Sequence, residues 1–154
     1  MREQRRARRI AMTPEERDAY LAEARTCRVA TVGGDGAPHV SPLWFAWDGR
    51  AMWLTSIVKS QRWTNLEREP RVSVVVDGGD DYFELHGVEL IGRVERVGDA
   101  PYTGAPDPEL EEPERLFAEK YRGGRAAPPD GRHAWLRLVP DKVVSWDFRK
   151  LAGL

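Results

Sequence analysis

Three glycine-rich turns set the frame within which this chain can fold. Gly33-Gly34-Asp35-Gly36, Asp48-Gly49 and Asp77-Gly78-Gly79-Asp80-Asp81 each stand beside extended runs rich in β-branched and aromatic residues. A short Gly or Asp-Gly turn between two such runs selects an antiparallel hairpin, because glycine supplies the positive φ of a tight reversal. The first three runs read Arg28 to Val32, His39 to Trp47 and Ala51 to Ser56. The first turn has the glycine content of a dinucleotide-binding loop. Pro38 and a second extended run follow it in place of a helix, so that context fails and a hairpin is the better reading. Val72 to Val76 and the long stretch Tyr82 to Val97 continue the series, with Gly87 and Gly92 marking bends or bulges. Five or more consecutive strands joined by short turns argue for a small antiparallel barrel.

One segment interrupts the hairpins. From Thr55 to Asp77 the chain reads as a strand end, a polar loop, a short helix ended by Pro70, and another strand. The loop carries hydroxyls at Thr55 and Ser56, cations at Lys59 and Arg62, and an N-cap at Ser60. Free amides at a helix start beside hydroxyls and cations suit a phosphate or other anion. An ordinary solvated loop is the alternative.

The remaining pieces are helices and surface loops. Thr13-Pro14-Glu15-Glu16 is a helix start with a capping residue, a proline at the first position and a glutamate at the third. That helix runs to about Arg25, with Leu21 and Ala24 facing inward. Gly98 to Pro113 reads as a loop, and Glu114 to Arg122 as a short helix carrying Leu116, Phe117 and Tyr121, stopped by Gly123-Gly124. Trp135 to Phe148 supplies the last strand material, interrupted at Pro140-Asp141. The aromatic residues Trp44, Phe45, Trp47 and Trp53 of the second hairpin suit a core or a subunit interface.

Composition narrows the function. With 154 residues, 41% of them hydrophobic, the chain can bury the core of one domain, residues 13–154, preceded by a flexible basic tail at residues 1–12. A net charge of -1 gives no global field toward nucleic acid or membrane. The lone cysteine, Cys27, excludes an internal disulfide and suits a reducing, cytoplasmic setting, and no apolar run long enough to span a membrane occurs. His39, His86 and His133 are widely separated, and no metal-ligand spacing is present, so they read as satisfied surface or core histidines and no metal site is expected. No nucleophile elbow or P-loop occurs, and no catalytic residue can be assigned. A chain without its own acid–base set suits a bound cofactor that carries the reaction.

The segments Gly36-Ala37-Pro38-His39-Val40-Ser41-Pro42, Thr55-Ser56, Arg62 with Asn65-Leu66, and Glu69-Pro70-Arg71-Val72-Ser73 resemble the pyridoxamine 5'-phosphate oxidase-like superfamily. Gly92-Arg93-Val94-Glu95 and Val143-Val144-Ser145-Trp146-Asp147 fit the same pattern. Within it the chain is most similar to flavin- and deazaflavin (F420)-dependent oxidoreductases.

The resemblance implies a mainly β (α+β) fold: a six- or seven-stranded antiparallel split β-barrel with a few short helices, of the FMN-binding split-barrel type. It implies a homodimer with coenzyme F420 or FMN in a groove between subunits, F420 being preferred because Asn65 to Arg71 most resembles its users. The phosphate-gripping role carries over to Thr55, Ser56 and Arg62, with Lys59 and Asn65 beside them. Pro42, Leu43 and Trp44 would lie along the cofactor ring. The substrate-binding Arg and His set of true pyridoxamine phosphate oxidases is not matched, so hydride transfer to another unsaturated small molecule is favoured over vitamin B6 oxidation. Two other readings stay open. One is a non-catalytic flavin, deazaflavin or haem-binding carrier or sensor, and the other is a structural dimer with an empty groove.

Overall fold

The computed structural model describes residues 1–152. Six strands, β1 (Thr26–Val32), β2 (Pro38–Trp47), β3 (Met52–Ile57), β4 (Arg71–Gly78), β5 (His86–Val97) and β6 (His133–Asp147), close an antiparallel barrel in the order β1-β2-β3-β6-β5-β4. The closure leaves the sheet without a free edge. Three helices complete it: α1 (Pro14–Glu23), α2 (Gln61–Arg68) and α3 (Glu111–Arg122).

Alternation along each strand decides which side chains fill the barrel. Cys27 and Val29 of β1, Met52 and Leu54 of β3, Val72, Val74 and Val76 of β4, and Val88 and Leu90 of β5 all point inward and are fully or almost fully buried. On β6 the inward set is Ala134, Leu136 and Leu138, then Val143. The parity changes because Gly92 of β5 faces Pro140 while Ile91 faces Lys142, which leaves Asp141 as an extra residue in a bulge. The expected interruption at Pro140-Asp141 is therefore a bulge inside one continuous strand. Gly87 is a close-approach glycine: a Cβ there would lie 2.5 Å from the Trp146 indole and 2.8 Å from the Val76 carbonyl.

α1 has the predicted capping box, with the Thr13 hydroxyl accepting from the Glu16 amide and the Glu16 carboxylate accepting from the Thr13 amide. Leu21 drives it into the main core. α2 touches β1, β2 and β3 and buries Trp63 and Leu66 in the same core. α3 starts one turn earlier than predicted, because Pro113 falls in its first turn, where a missing N–H costs nothing. It ends at Gly123, whose φ of 62° makes a left-handed cap. With the loop before it, α3 covers the outer face of β3 and β6, forming a second cluster of Ala46, Ala51, Trp53, Val97, Leu110 and Trp135.

One local expectation differs from the structure. Tyr82–Glu84 is a single 3-10 turn and not extended strand, closed by the Glu84 amide on the Asp81 carbonyl at 2.8 Å. Residues 1–12 lie along the second half of β6, beyond the end of its pairing with β3. There the Arg2 amide donates to the Asp141 carbonyl at 2.7 Å and Gln4 bonds both backbone groups of Ser145. Among the described residues no helix is long and apolar enough to cross a membrane.

Candidate functional site

The predicted site residues fall into two sets. Pro42, Leu43 and Trp44 of β2 and Thr55 of β3 line one shallow groove of about 350 Å³, together with Thr26 and His133. Ser56, Arg62 and Asn65 form a buried polar cluster where α2 packs on the barrel. The two adjacent hydroxyls of Thr55 and Ser56 part company because successive strand residues face opposite sides. Thr55 is half-buried at the groove, and Ser56 is fully buried. Lys59 is exposed in the turn between β3 and α2 and lines none of these surfaces.

Arg62 is the unusual member of the cluster. It belongs to α2 and not to a loop, and it is only 7% exposed. Its Nε donates to the Ser56 hydroxyl at 3.0 Å and Nη1 to the Ser41 hydroxyl at 2.5 Å. Among the described residues no carboxylate pairs with it, and burial lowers its pKa. Asn65 is locked beside it, donating to the Thr31 hydroxyl at 3.0 Å and accepting from Gln61 at 2.8 Å. Ser60 caps the helix through the Trp63 amide. His39, on the neighbouring strand, has a buried Nδ1 with no partner, the lone such side-chain atom among the described residues. A buried guanidinium without a counter-charge has the chemistry of a site that expects an anion.

The groove continues past Trp44 into a second pocket of about 260 Å³ under α3, walled by Phe117, Tyr121 and Trp135. Trp44, 53% exposed, stacks on Tyr121 with centroids 4.3 Å apart and planes 5° from parallel. The Tyr121 hydroxyl accepts from the Phe45 amide at 3.1 Å and lies 2.7 Å from the carbonyls of Arg25 and Phe45, donating to one of them. Burial pushes its pKa up to about 12, so it stays a neutral clamp of α3 on β2. Tyr102 donates to Glu114 at 2.6 Å on the same wall, its pKa also raised to about 12 by burial and then by that carboxylate. Phe45, Trp47 and Trp53 are buried in the fold, so of the four aromatic residues of the second hairpin Trp44 alone is offered to a ligand.

Sequence reasoning did not find this pocket. Phe117 and Tyr121 stand one helical turn apart and carried a signal of an apolar helix face, but not of its partners. Tyr102, Glu114, Asp130 and His133 come from a loop, a helix, a loop and a strand start, and no local spacing links them.

Cys27 is an inert core thiol, its pKa pushed up to about 12 by burial. Lys120 is different. Its ammonium donates to the Leu21 carbonyl at 3.1 Å and sits 3.9 Å from the Phe45 ring centroid, and burial lowers its pKa from 10.5 to about 8. The unfolded chain then binds more protons than the folded one between those values, so this penalty is present below pH 8 and relieved as pH rises. The unfolding free energy of wild type relative to Lys120→Met should therefore climb between pH 8 and 10.5, as read by urea titration. A difference that stayed flat across that range would show that the ammonium is not desolvated.

Residues 13–147 match the family model described as pyridoxamine 5'-phosphate oxidase. The chain belongs to the pyridoxamine 5'-phosphate oxidase-like superfamily. A conserved hypothetical protein from Mycobacterium tuberculosis, Rv2991, is similar over 99% of this chain and 94% of its own, with 34% identity and a TM-score of 0.79. A structure described as an F420 reductase shares 27% identity over 85% of this chain and 98% of its own, at a TM-score of 0.62. The heme storage protein HutZ from Vibrio cholerae, at 18% identity over 82% of this chain and 90% of its own, shares the fold at a TM-score of 0.64. No curated protein sequence matches the chain. The six-stranded barrel is the split barrel that membership in this superfamily implies.

Proposed function

We propose that the protein is an oxidoreductase that binds coenzyme F420 or FMN, F420 preferred, in the groove beside Trp44, and reduces an electron-poor double bond in a small apolar substrate. The carrying observation is Arg62, a buried cation with no carboxylate partner, bonded to Ser41 and Ser56 on the same two strands whose Pro42, Leu43, Trp44 and Thr55 line the groove. The preference for F420 draws support from the similarity to the structure described as an F420 reductase.

The residues present fit a cofactor with a flat ring and a phosphate. Arg62, with Ser41 and Ser56 orienting its guanidinium, would hold the phosphate charge, and Lys59 in the adjoining turn would add a solvated cation. Pro42, Leu43 and Trp44 would wall the ring, with the Thr55 hydroxyl at its edge. The bound cofactor supplies the hydride. The chain supplies orientation: the groove and the α3 pocket share Trp44, Thr55 and His133, so a substrate under α3 lies next to a ring in the groove. The aromatic walls exclude water from between them.

The groove is shallow and open on one side, and Val40, Pro42 and Trp44 leave an exposed, largely apolar stripe on β2. A second copy of the chain completes the groove in this reading, and the protein works as a homodimer. Light scattering should return twice the 17.5 kDa chain mass, and a monomer at micromolar concentration contradicts this part. For the activity, the protein is mixed with reduced F420 and, separately, with reduced FMN, and each mixture is screened optically against quinones, enones and tetrapyrroles. Substrate-dependent oxidation of F420 is expected. Binding of both cofactors with oxidation of neither, across the whole set, would favour a carrier and end the enzyme reading.

A further inference from the structure

We propose that His133, held by Asp130, is the proton donor to a flat aromatic enone bound in the pocket under α3. This rests on the oxidoreductase reading above. His133 opens β6 and lines both the groove and the α3 pocket, so it stands where the two meet. Its position is fixed from two directions. Asp130 Oδ1 accepts the backbone amides of Arg132 and His133 at 2.8 and 2.9 Å, and its Oδ2 accepts Nδ1–H of the imidazole at 2.5 Å. The Tyr102 amide anchors the same residue through the His133 carbonyl at 2.8 Å.

The chemistry of this arrangement is specific. With Nδ1–H engaged by a carboxylate, Nε2 is the nitrogen left for a ligand, and in the imidazolium form it carries a proton that can be transferred. The His133 amide, followed by those of Arg132 and the imidazole itself, holds the Asp130 carboxyl down to about 2, so it remains an anion at any working pH. The other titratable and charged groups lining this pocket are Glu114, Arg122, Tyr102 and Tyr121. Glu114 is engaged by the Tyr102 hydroxyl, both tyrosines are held neutral by burial, and Arg122 carries no transferable proton. That leaves the imidazole of His133 as the group lining the pocket with a proton to transfer.

The walls define the acceptor. Phe117, Tyr121, Trp135 and Trp44 leave a narrow space of about 260 Å³ that suits a planar molecule of one or two rings. In an aryl enone the C=C bond is reduced. The β-carbon gains the hydride supplied by the reduced flavin-type cofactor, which is oxidised by two electrons. The α-carbon takes the proton from Nε2 of His133, which recovers one from solvent. Asp130 is a positioning residue, since it acts through the imidazole.

The test uses trans-4-phenyl-3-buten-2-one with the full chain and two variants, His133→Gln and Asp130→Asn. In the chain without cofactor, tryptophan fluorescence should be quenched saturably by the enone in wild type and in both variants. The imidazole ¹⁵N shifts should report the Nδ1–H form of neutral His133 in wild type and a mixture of the two tautomers in Asp130→Asn. With reduced cofactor, His133→Gln should lower kcat by roughly a hundredfold with little change in KM. The alkaline limb of the wild-type pH profile should coincide with the titration midpoint of those ¹⁵N signals. Turnover unchanged in His133→Gln, or a limb that does not track the imidazole, overturns the proton-donor role while leaving the oxidoreductase reading intact. Absence of any cofactor binding strikes the oxidoreductase reading, and saturable quenching with the Nδ1–H tautomer would still support the pocket and the dyad. Absence of quenching in wild type removes the pocket assignment.

Discussion

Arg62→Met is expected to lower cofactor affinity roughly ten- to hundredfold, the loss of one charge-assisted contact of about 1.5–3 kcal/mol, while leaving the chain as stable as wild type or more so. Both effects follow from where the charge sits. A guanidinium 7% exposed, with hydroxyls and no carboxylate for partners, has lost its hydration without gaining a counter-charge. An apolar side chain of similar length on α2 fills the same space at no such cost, and replacements of this kind are often neutral or stabilising. Ser56 and Ser60 already lie 3.5 Å apart and can bond each other once the guanidinium is gone. The sequence alone suggested a loop cation whose removal touches no packing. The structure makes Arg62 a buried part of α2, so alanine is the wrong probe, since it opens a cavity, and methionine separates charge from volume. Titration by flavin or deazaflavin fluorescence beside thermal melting reads both quantities. A melting temperature lowered by many degrees with affinity unchanged would make Arg62 a structural residue.

Phe45→Ala should cost about 3–5 kcal/mol of stability, near the top of the range for buried aromatics. Phe45 is fully buried in the barrel, its ring faces the Lys120 ammonium, and its backbone amide is bound by the Tyr121 hydroxyl. The neighbouring Trp44 points the other way, into the groove, so the cavity opened on the inner face should loosen β2 where it presents Pro42, Leu43 and Trp44. For a chain of this size that is a fall of roughly 6–20 °C in melting temperature, taking about 2–4 °C per kcal/mol. Phe45→Leu, which keeps most of the volume, should lose well under half as much. Equal losses in the two variants would mean that the core does not close around the ring as described.

Much of this architecture was legible in advance because it follows from local chemistry. Gly33-Gly34-Asp35-Gly36 and Asp48-Gly49 join β1 to β2 and β2 to β3 as hairpins, Thr13-Pro14-Glu15-Glu16 caps α1, and Gly123 ends α3. What failed depended on partners distant in the chain. The Pro140-Asp141 break became a bulge because Gly92 lets β6 pass with one extra residue. The turn at Tyr82 is the local exception, closed by the Glu84 amide on the Asp81 carbonyl three residues earlier. In the site, Thr55 and Ser56 looked equivalent until strand alternation sent one to the groove and the other to Arg62. His133 read as an ordinary satisfied histidine, and it is satisfied, but by a carboxylate that engages only Nδ1, beside a pocket built from six separate segments.

Cofactor binding at Arg62 is tested most directly by an equilibrium titration of oxidised F420 and oxidised FMN into the wild-type protein, followed by cofactor fluorescence, with Arg62→Met in parallel. Saturable binding of at least one of them is expected well below about 1 mM, weakened in the variant and competed by inorganic phosphate. Fluorescence that stays linear in both titrations up to that concentration, or saturable binding that Arg62→Met leaves untouched, would contradict it.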